Sequence, residues 1–162
     1  MAVADYFLKI DGVAGESKDE EHSGEIELLS WSWGATNTGS QSFGGGGGTG
    51  KVSAQDFHFT KKHDTSSPKL MEACCSGQHF PKATVVARKA GKGQKEYMKW
   101  VFDDVVISSY QTGGSGGGDP IPTDSISFNF GKIEMNSKEQ DSTGTMKGAI
   151  VGKYSLKENK VG

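Results

Sequence analysis

Two alternating patterns flank a stretch that has almost no side chains. Glu25 to Gly34 (EIELLSWSWG) places Glu27, Leu29, Trp31 and Trp33 on one face and Ile26, Leu28, Ser30 and Ser32 on the other. The tryptophan face is expected to pack. The opposite face turns from apolar to small and polar, which suits either a plain solvent surface or the lining of a shared aqueous space. Val52 to Phe59 alternates again, with Phe57 and Phe59 on one side. Between these patterns, Thr36 to Gly50 offers Phe43 and a few hydroxyl or amide groups around the five glycines Gly44, Gly45, Gly46, Gly47 and Gly48. Ordering such a segment costs roughly 1–2 kcal/mol per residue in backbone entropy. It is therefore expected to be a tether or a loop ordered by a partner, and the expected partner is a second copy of the chain.

Further strands are predicted along the chain. Asp5 to Ile10 alternates Tyr6, Leu8 and Ile10 with Phe7 and Lys9, and Asp11-Gly12 reads as a turn. Lys82 to Arg88 follows His79-Phe80-Pro81. Met98, Trp100 and Phe102 share a face of a long strand that Asp103-Asp104 interrupts and Val105 to Tyr110 resumes. Ser125 to Met135 alternates at Ile126, Phe128 and Phe130, with a bulge expected at Gly131. Gly148 to Leu156 is the final strand, and Lys157 to Gly162 is expected to fray. Thr65 to Gly77 is the one helix: Ser66 or Ser67 caps it, Pro68 fits the first turn and Gly77 the end. Leu70, Met71 and Cys74 form its apolar stripe. Eight or nine strands and one helix point to a mainly β sandwich or barrel, as one domain over residues 1–162 with an extended loop at about 36–50.

Composition narrows the functions. A length of 162 residues suits one domain, and the hydrophobic fraction of 33% is low largely because 24 residues are glycine. A net charge of −2 with scattered Lys and Arg argues against a nucleic-acid surface or a polybasic membrane patch. No apolar run approaches the length of a membrane span, and Met1 to Tyr6 lacks the basic-then-apolar pattern of a signal peptide. Cys74 and Cys75 are adjacent, so no disulfide framework is expected and a reducing compartment fits.

Candidate chemistry is sparse. Gly45 to Lys51 (GGGGTGK) nearly matches a phosphate-binding loop, but Val52 replaces the magnesium-binding hydroxyl and a strand follows where a helix is required. The acidic Gly15 to Gly24 loop lacks the Asp-x-Asp-x-Asp-Gly spacing of a calcium site and is expected to be solvated. His22, His58, His63 and His79 do not pair at metal-ligand spacings, beyond a loose His58/His63, and no zinc-type Cys-x-x-Cys is present. His58 is expected to face the surface. Cys74 reads as a buried thiol serving as a small hydrophobe. Gly113 to Gly117 (GGSGG) lacks the strand–turn–helix frame of a nucleophile elbow. Asp103 and Asp104 point to opposite faces of a strand and do not share a proton without a bulge. No catalytic, cofactor-binding or metal-binding residue is predicted.

Ordered motifs carry a resemblance. They are Ile10-Asp11-Gly12-Val13 with Gly15-Glu16-Ser17, Trp31-Ser32-Trp33-Gly34, Gly50-Lys51-Val52, Gln55 to Lys61 (QDFHFTK), Leu70-Met71 with Ala73-Cys74, and Ser108-Ser109 with Thr112 to Gly116 (TGGSG). Together they resemble the haemolysin-coregulated protein family, Hcp, as far as about Met135. The resemblance implies a compact β-barrel of two sheets with one flanking α-helix, packed around Trp31, Trp33 and Trp100. It also implies a hexameric ring stacking into the inner tube of the bacterial type VI secretion system, similar to phage tail tubes. Implied partners are further copies of the chain, the spike protein at the tube tip, the contractile sheath and small effector proteins in the lumen, with no cofactor and no catalysis. Such a protein is made in the cytoplasm and expelled through the system itself.

Within that frame, Ser30 and Ser32 are expected to face the lumen. Thr36, Phe43, Gly44 to Gly48 and Gly50 are expected to make contacts between subunits, chiefly between stacked rings. The alternative is a ligand- or carbohydrate-binding barrel using Trp31, Trp33 or Trp100 as a stacking platform, which requires a solvent-facing indole.

Overall fold

The structure is a computed structural model that describes residues 4–37, 52–89, 95–139 and 148–162. Among these residues the chain forms eleven strands and one helix. The strands are β1 (Ala4–Ile10), β2 (Ile26–Glu27), β3 (Ser30–Ser32), β4 (Ala35–Asn37), β5 (Val52–Ala54), β6 (Phe57–Lys62), β7 (His79–Lys89), β8 (Glu96–Gly113), β9 (Thr123–Ser137), β10 (Ile150–Ser155) and β11 (Lys160–Val161); α1 is Ser67–Ser76.

Nine strands form one sheet in the order β11-β10-β9-β8-β7-β1-β2, with β6 pairing the first half of β9 and β3 pairing β6. The second sheet is the β4–β5 ladder alone. The architecture is thus mainly β with two sheets and one helix, although strand pairing among the described residues does not close a barrel. Instead the segment between β2 and β3 bonds to both β1 and β6: the Leu28 amide donates to the Tyr6 carbonyl at 3.0 Å and the Leu29 amide to the Thr60 carbonyl at 2.8 Å.

That double pairing breaks the continuous alternation expected over Glu25 to Gly34. Ile26 and Leu28 are buried, and Leu29, expected on the packed face, is 53% exposed. The inward positions then change parity to Trp31 and Trp33. A similar change crosses three neighbouring strands. Buried positions switch from Phe80 to Ala83 in β7, from Phe102 to Val105 in β8 and from Phe130 to Ile133 in β9. Asp104, with φ of 55°, lies in the middle of this line. The pairs Lys82↔Asp103↔Lys132 and Phe80↔Val105↔Phe130 place it opposite Pro81 on one side and Gly131 on the other. So β8 continues through Asp103-Asp104 and bends there. No register shift occurs at Gly131; the shift between β8 and β9 lies at Ile107/Ser109. Gly131 instead makes room for Lys157, whose Cε would sit 2.8 Å from an added Cβ.

All the large strands face one aromatic core. Phe57, Phe59, Phe102 and Phe128 are fully buried, with centroids 5.0 Å apart for Phe57–Phe128 and 5.1 Å for Phe57–Phe102. Full burial of such a ring stabilises by about 1.5–3 kcal/mol. Helix α1 adds Leu70 and Ala73 to this core, whereas Met71 is exposed and Cys74 half-buried. The helix ends as expected on Gly77, whose left-handed φ of 70° suits a residue without Cβ. Its start differs: Ser66 makes no side-chain cap to the helix, and Ser67 Oγ turns inward. The C-terminal residues do not simply trail away, because Lys160 and Val161 pair back onto β10.

Candidate functional site

The face carrying Ser30 and Ser32 is built by four strands. Register aligns Ser30, Thr60, Ser125 and Gln111 in one rung and Ser32, His58, Ser127 and Ser109 in the next, across β3, β6, β9 and β8. Ser30 and Ser32 are exposed. Ser30 Oγ lies 2.6 Å from Thr60 Oγ1, and His58 bridges Ser127 Oγ at 3.1 Å and Ser125 Oγ at 3.2 Å. The result is a hydroxyl-rich surface with one half-buried imidazole and no carboxylate or ammonium in either rung. Thr60, Ser125 and Ser127 are missed by the reading of Ser30 and Ser32 alone. Their signal is the small polar residue between successive phenylalanines or isoleucines in FHFT and SISF, but their alignment with Ser30 and Ser32 depends on register.

The tryptophans lie behind this surface. Trp100 is buried; Trp31 and Trp33 are half-buried against it. Trp31 stacks on Phe57 at 5.9 Å and meets Trp100 edge-on at 5.5 Å, while Trp33 Nε1 donates to the Gln55 carbonyl at 2.7 Å. A sugar-stacking platform gains no fully exposed indole from this arrangement.

Thr36 is exposed in β4, paired with Ser53. Phe43, Gly44 to Gly48, Gly50 and Lys51 lie outside the described residues, so the loop reading and the near phosphate-loop match stand on sequence alone.

Two ionic clusters escaped the sequence reading. Lys61, within FHFTKK, is fully buried, and its three ammonium protons are shared among four acceptors: Asp124 Oδ2 at 3.0 Å, Asp64 Oδ1 at 2.9 Å, Ser67 Oγ at 2.7 Å and the Lys62 carbonyl at 3.2 Å. Burial pushes the Asp124 carboxyl up, but hydrogen bonds, that from Ser67 foremost, together with Lys61 hold it below the ordinary carboxylate range. This cluster ties the start of α1 to β6 and β9. The second cluster anchors the acidic loop, whose Glu16, Glu20 and Glu21 stay exposed as expected while Ser17 and His22 are buried. The Gly15 amide donates to Gly24 O at 2.8 Å and the Ser17 amide to Glu25 O at 3.0 Å, closing the loop on itself. Arg88 forks onto Asp19, and this hydrogen bond, outweighing desolvation, holds the Asp19 carboxyl at about 2. His22 is buried beside it, stacked on Phe7.

Asp104 accepts from His79 Nδ1 at 2.8 Å and pairs with Lys157, and these two partners, Lys157 first, hold its carboxyl below the usual range. It forms an outer clasp across the bend of β8 rather than an acid pair with Asp103.

An aromatic-cored, curled β sheet with one flanking helix and a neutral hydroxyl face defines the structural class. Residues 7–137 match the family model described as "Type VI secretion system effector, Hcp". The chain is 47% identical over 152 residues to protein hcp1 of Pseudomonas aeruginosa, covering 93% of each. Among solved structures, one described as a type six secretion system protein superposes with a TM-score of 0.92 at 33% identity, covering 99% of this chain and 100% of its own. Hcp1 from Salmonella typhimurium gives 0.79 at 34% identity, covering 99% of each chain, and a type VI secretion system effector from Yersinia pestis gives 0.77 at 33%, covering 94% and 100%. The chain belongs to the Hcp family of type VI secretion system proteins. No helix among the described residues is long and apolar enough to cross a membrane.

Proposed function

We propose that this chain is a non-catalytic tube subunit: six copies close a ring, rings stack into the inner tube of a type VI secretion system, and small effector proteins ride in the lumen. Family membership supports self-assembly, and the hydroxyl surface around Ser30 and Ser32 carries the lumen assignment. A channel wall that touches many cargoes gains from groups that hydrogen-bond in any orientation without fixed charge. The 36–50 segment, which begins in exposed β4, contacts the next ring in this reading, and a neighbour there offsets the backbone entropy that its glycine-rich sequence loses on ordering. The spike at the tube tip and the contractile sheath complete the set of partners. The protein assembles from a cytoplasmic pool and leaves the cell through the tube.

Native mass measurement of the purified protein tests the ring, with a closed six-chain species as the expected result and a strictly monomeric species at high concentration overturning it. Electron microscopy of the Gly46→Glu protein separates stacking from closure. Rings without tubes are expected; unimpaired tubes remove the loop from stacking, and loss of the rings moves its role to closure.

A further inference from the structure

We propose that Glu21, His22 and Glu96 form a binding site for one zinc-like divalent cation per chain, at the junction of the 15–25 loop and the start of β8. One ligand atom from each of the three lies within 4.8 Å of the others. Glu21 and His22 are neighbours in the loop, and Glu96 begins a strand 74 residues from His22.

The imidazole is the informative group. It is 6% exposed and stacks on Phe7 at 4.4 Å with an 11° interplanar angle, which fixes its plane. Nδ1 lies 2.9 Å from Glu25 Oε2, and Nε2 lies 3.0 Å from Glu96 Oε1. Each ring nitrogen thus meets a carboxylate oxygen, and Nε2 faces the side where Glu96 and Glu21 converge. A cation held by Nε2, Glu96 and Glu21 leaves Nδ1 to donate to Glu25, which orients the ring from behind, as a second carboxylate commonly does for a metal-bound histidine.

The charge balance agrees. Glu21, Glu25 and Glu96 surround the one ring, while Arg88, which also lies over Phe7 at 4.9 Å, is committed to Asp19 and Asp5. Asp19 accepts the backbone amides of Glu21 at 3.0 Å and His22 at 3.2 Å, so the two loop ligands are held in place before any ion arrives. One imidazole nitrogen with two carboxylates suits zinc and its first-row neighbours better than calcium, which takes six to eight oxygens. Glu21 is exposed and Glu96 only half-buried, which gives the ion an open approach and a coordination position for water. Its role is to clasp the loop to β8.

The test titrates chelator-stripped protein with zinc alone, by calorimetry and thermal unfolding. A Cys74→Ser/Cys75→Ser background controls for zinc binding by the two free thiols. Expected are one ion per chain and a raised Tm in both the parent and the cysteine-free protein. Glu21→Gln and Glu96→Gln should each lose this binding, and Glu25→Gln should weaken it by about 10–100-fold. Because Glu21 is exposed, its variant keeps the fold and remains informative if Glu96→Gln unfolds. A parent protein indifferent to zinc overturns the site. Unchanged affinity in either glutamine variant at position 21 or 96, or binding that vanishes with the cysteines, overturns it equally.

Discussion

Lys61 and Asp124 face each other across β6 and β9 at one register position, and their charged ends meet 3.0 Å apart with side-chain exposures of 1% and 0%. Such a pair stabilises little relative to apolar packing, but removing one partner strands the other charge. Lys61→Met is therefore expected to cost about 3–5 kcal/mol in urea unfolding. The double variant Lys61→Met/Asp124→Leu should recover part of that loss. A single variant within 1 kcal/mol of the parent would show that water or another cation reaches Asp124.

Gly15 and Gly131 are both crowded, but by different neighbours. An added Cβ at Gly15 would sit 2.4 Å from the Glu25 carbonyl oxygen, part of the backbone that closes the loop. Gly15→Ala should cost about 1–3 kcal/mol and loosen the loop, since backbone has to move. At Gly131 the obstacle is the flexible end of Lys157, which swings away at the loss of one surface ion pair, so Gly131→Ala should cost less than Gly15→Ala. Paired thermal and urea melts of the two variants check the order. Equal losses would contradict this distinction.

Acid sensitivity follows from Asp19. Its folded carboxyl is depressed from 3.8 to about 2, chiefly by Arg88, so the unfolded chain binds the proton more readily. The contribution is complete above the unfolded value and is lost as pH falls from about 4 toward about 2. Asp19→Asn should flatten the stability profile in that window while leaving its slope above pH 5 unchanged. Urea midpoints from pH 6 to pH 2 measure it, and parallel acid limbs for the two proteins would count against the Arg88 pairing.

Much of the fold is legible in periodicity, because a strand with one buried face has to alternate. Phe57/Phe59, Ile126/Phe128/Phe130 and Trp100/Phe102 all lie inward as their spacing indicates. Alternation fails where a strand serves two neighbours or bends. Leu28 and Leu29 point opposite to expectation because one hydrogen-bonds toward β1 and the other toward β6. The bend at Pro81, Asp104 and Gly131 is invisible in any one strand; it becomes intelligible only when the register aligns a residue without N–H, one at positive φ and one without Cβ. Charged residues mislead for a related reason. Lys61 shares the inward parity of Phe57 and Phe59, but the acid that admits its charge to the interior lies 63 residues away. Ser30 and Ser32 are legible as the face opposite Trp31 and Trp33, but the hydroxyls that extend that face are supplied by long-range pairing.

Ser32 offers the sharpest test of the proposed lumen. It is exposed in β3, one rung from Ser30, and its neighbour across the strand is His58. Glutamine at this position adds bulk and a longer polar arm to an open surface, without placing charge or apolar area in the core. A chain-level effect is therefore expected to be small, within ~0.5 kcal/mol of stability, and six-chain rings should persist in native mass spectra. Cargo contact is different, because the same side chain recurs six times around a proposed ring and projects into the space an effector occupies. Retention of a small effector co-expressed from the same secretion cluster should fall by about tenfold, equivalent to about 1.4 kcal/mol. Co-purification against the parent ring at matched ring concentration measures this. Undiminished retention with intact rings would place Ser32 on a surface other than the lumen, and dissociated rings would place it at the interface between neighbouring subunits.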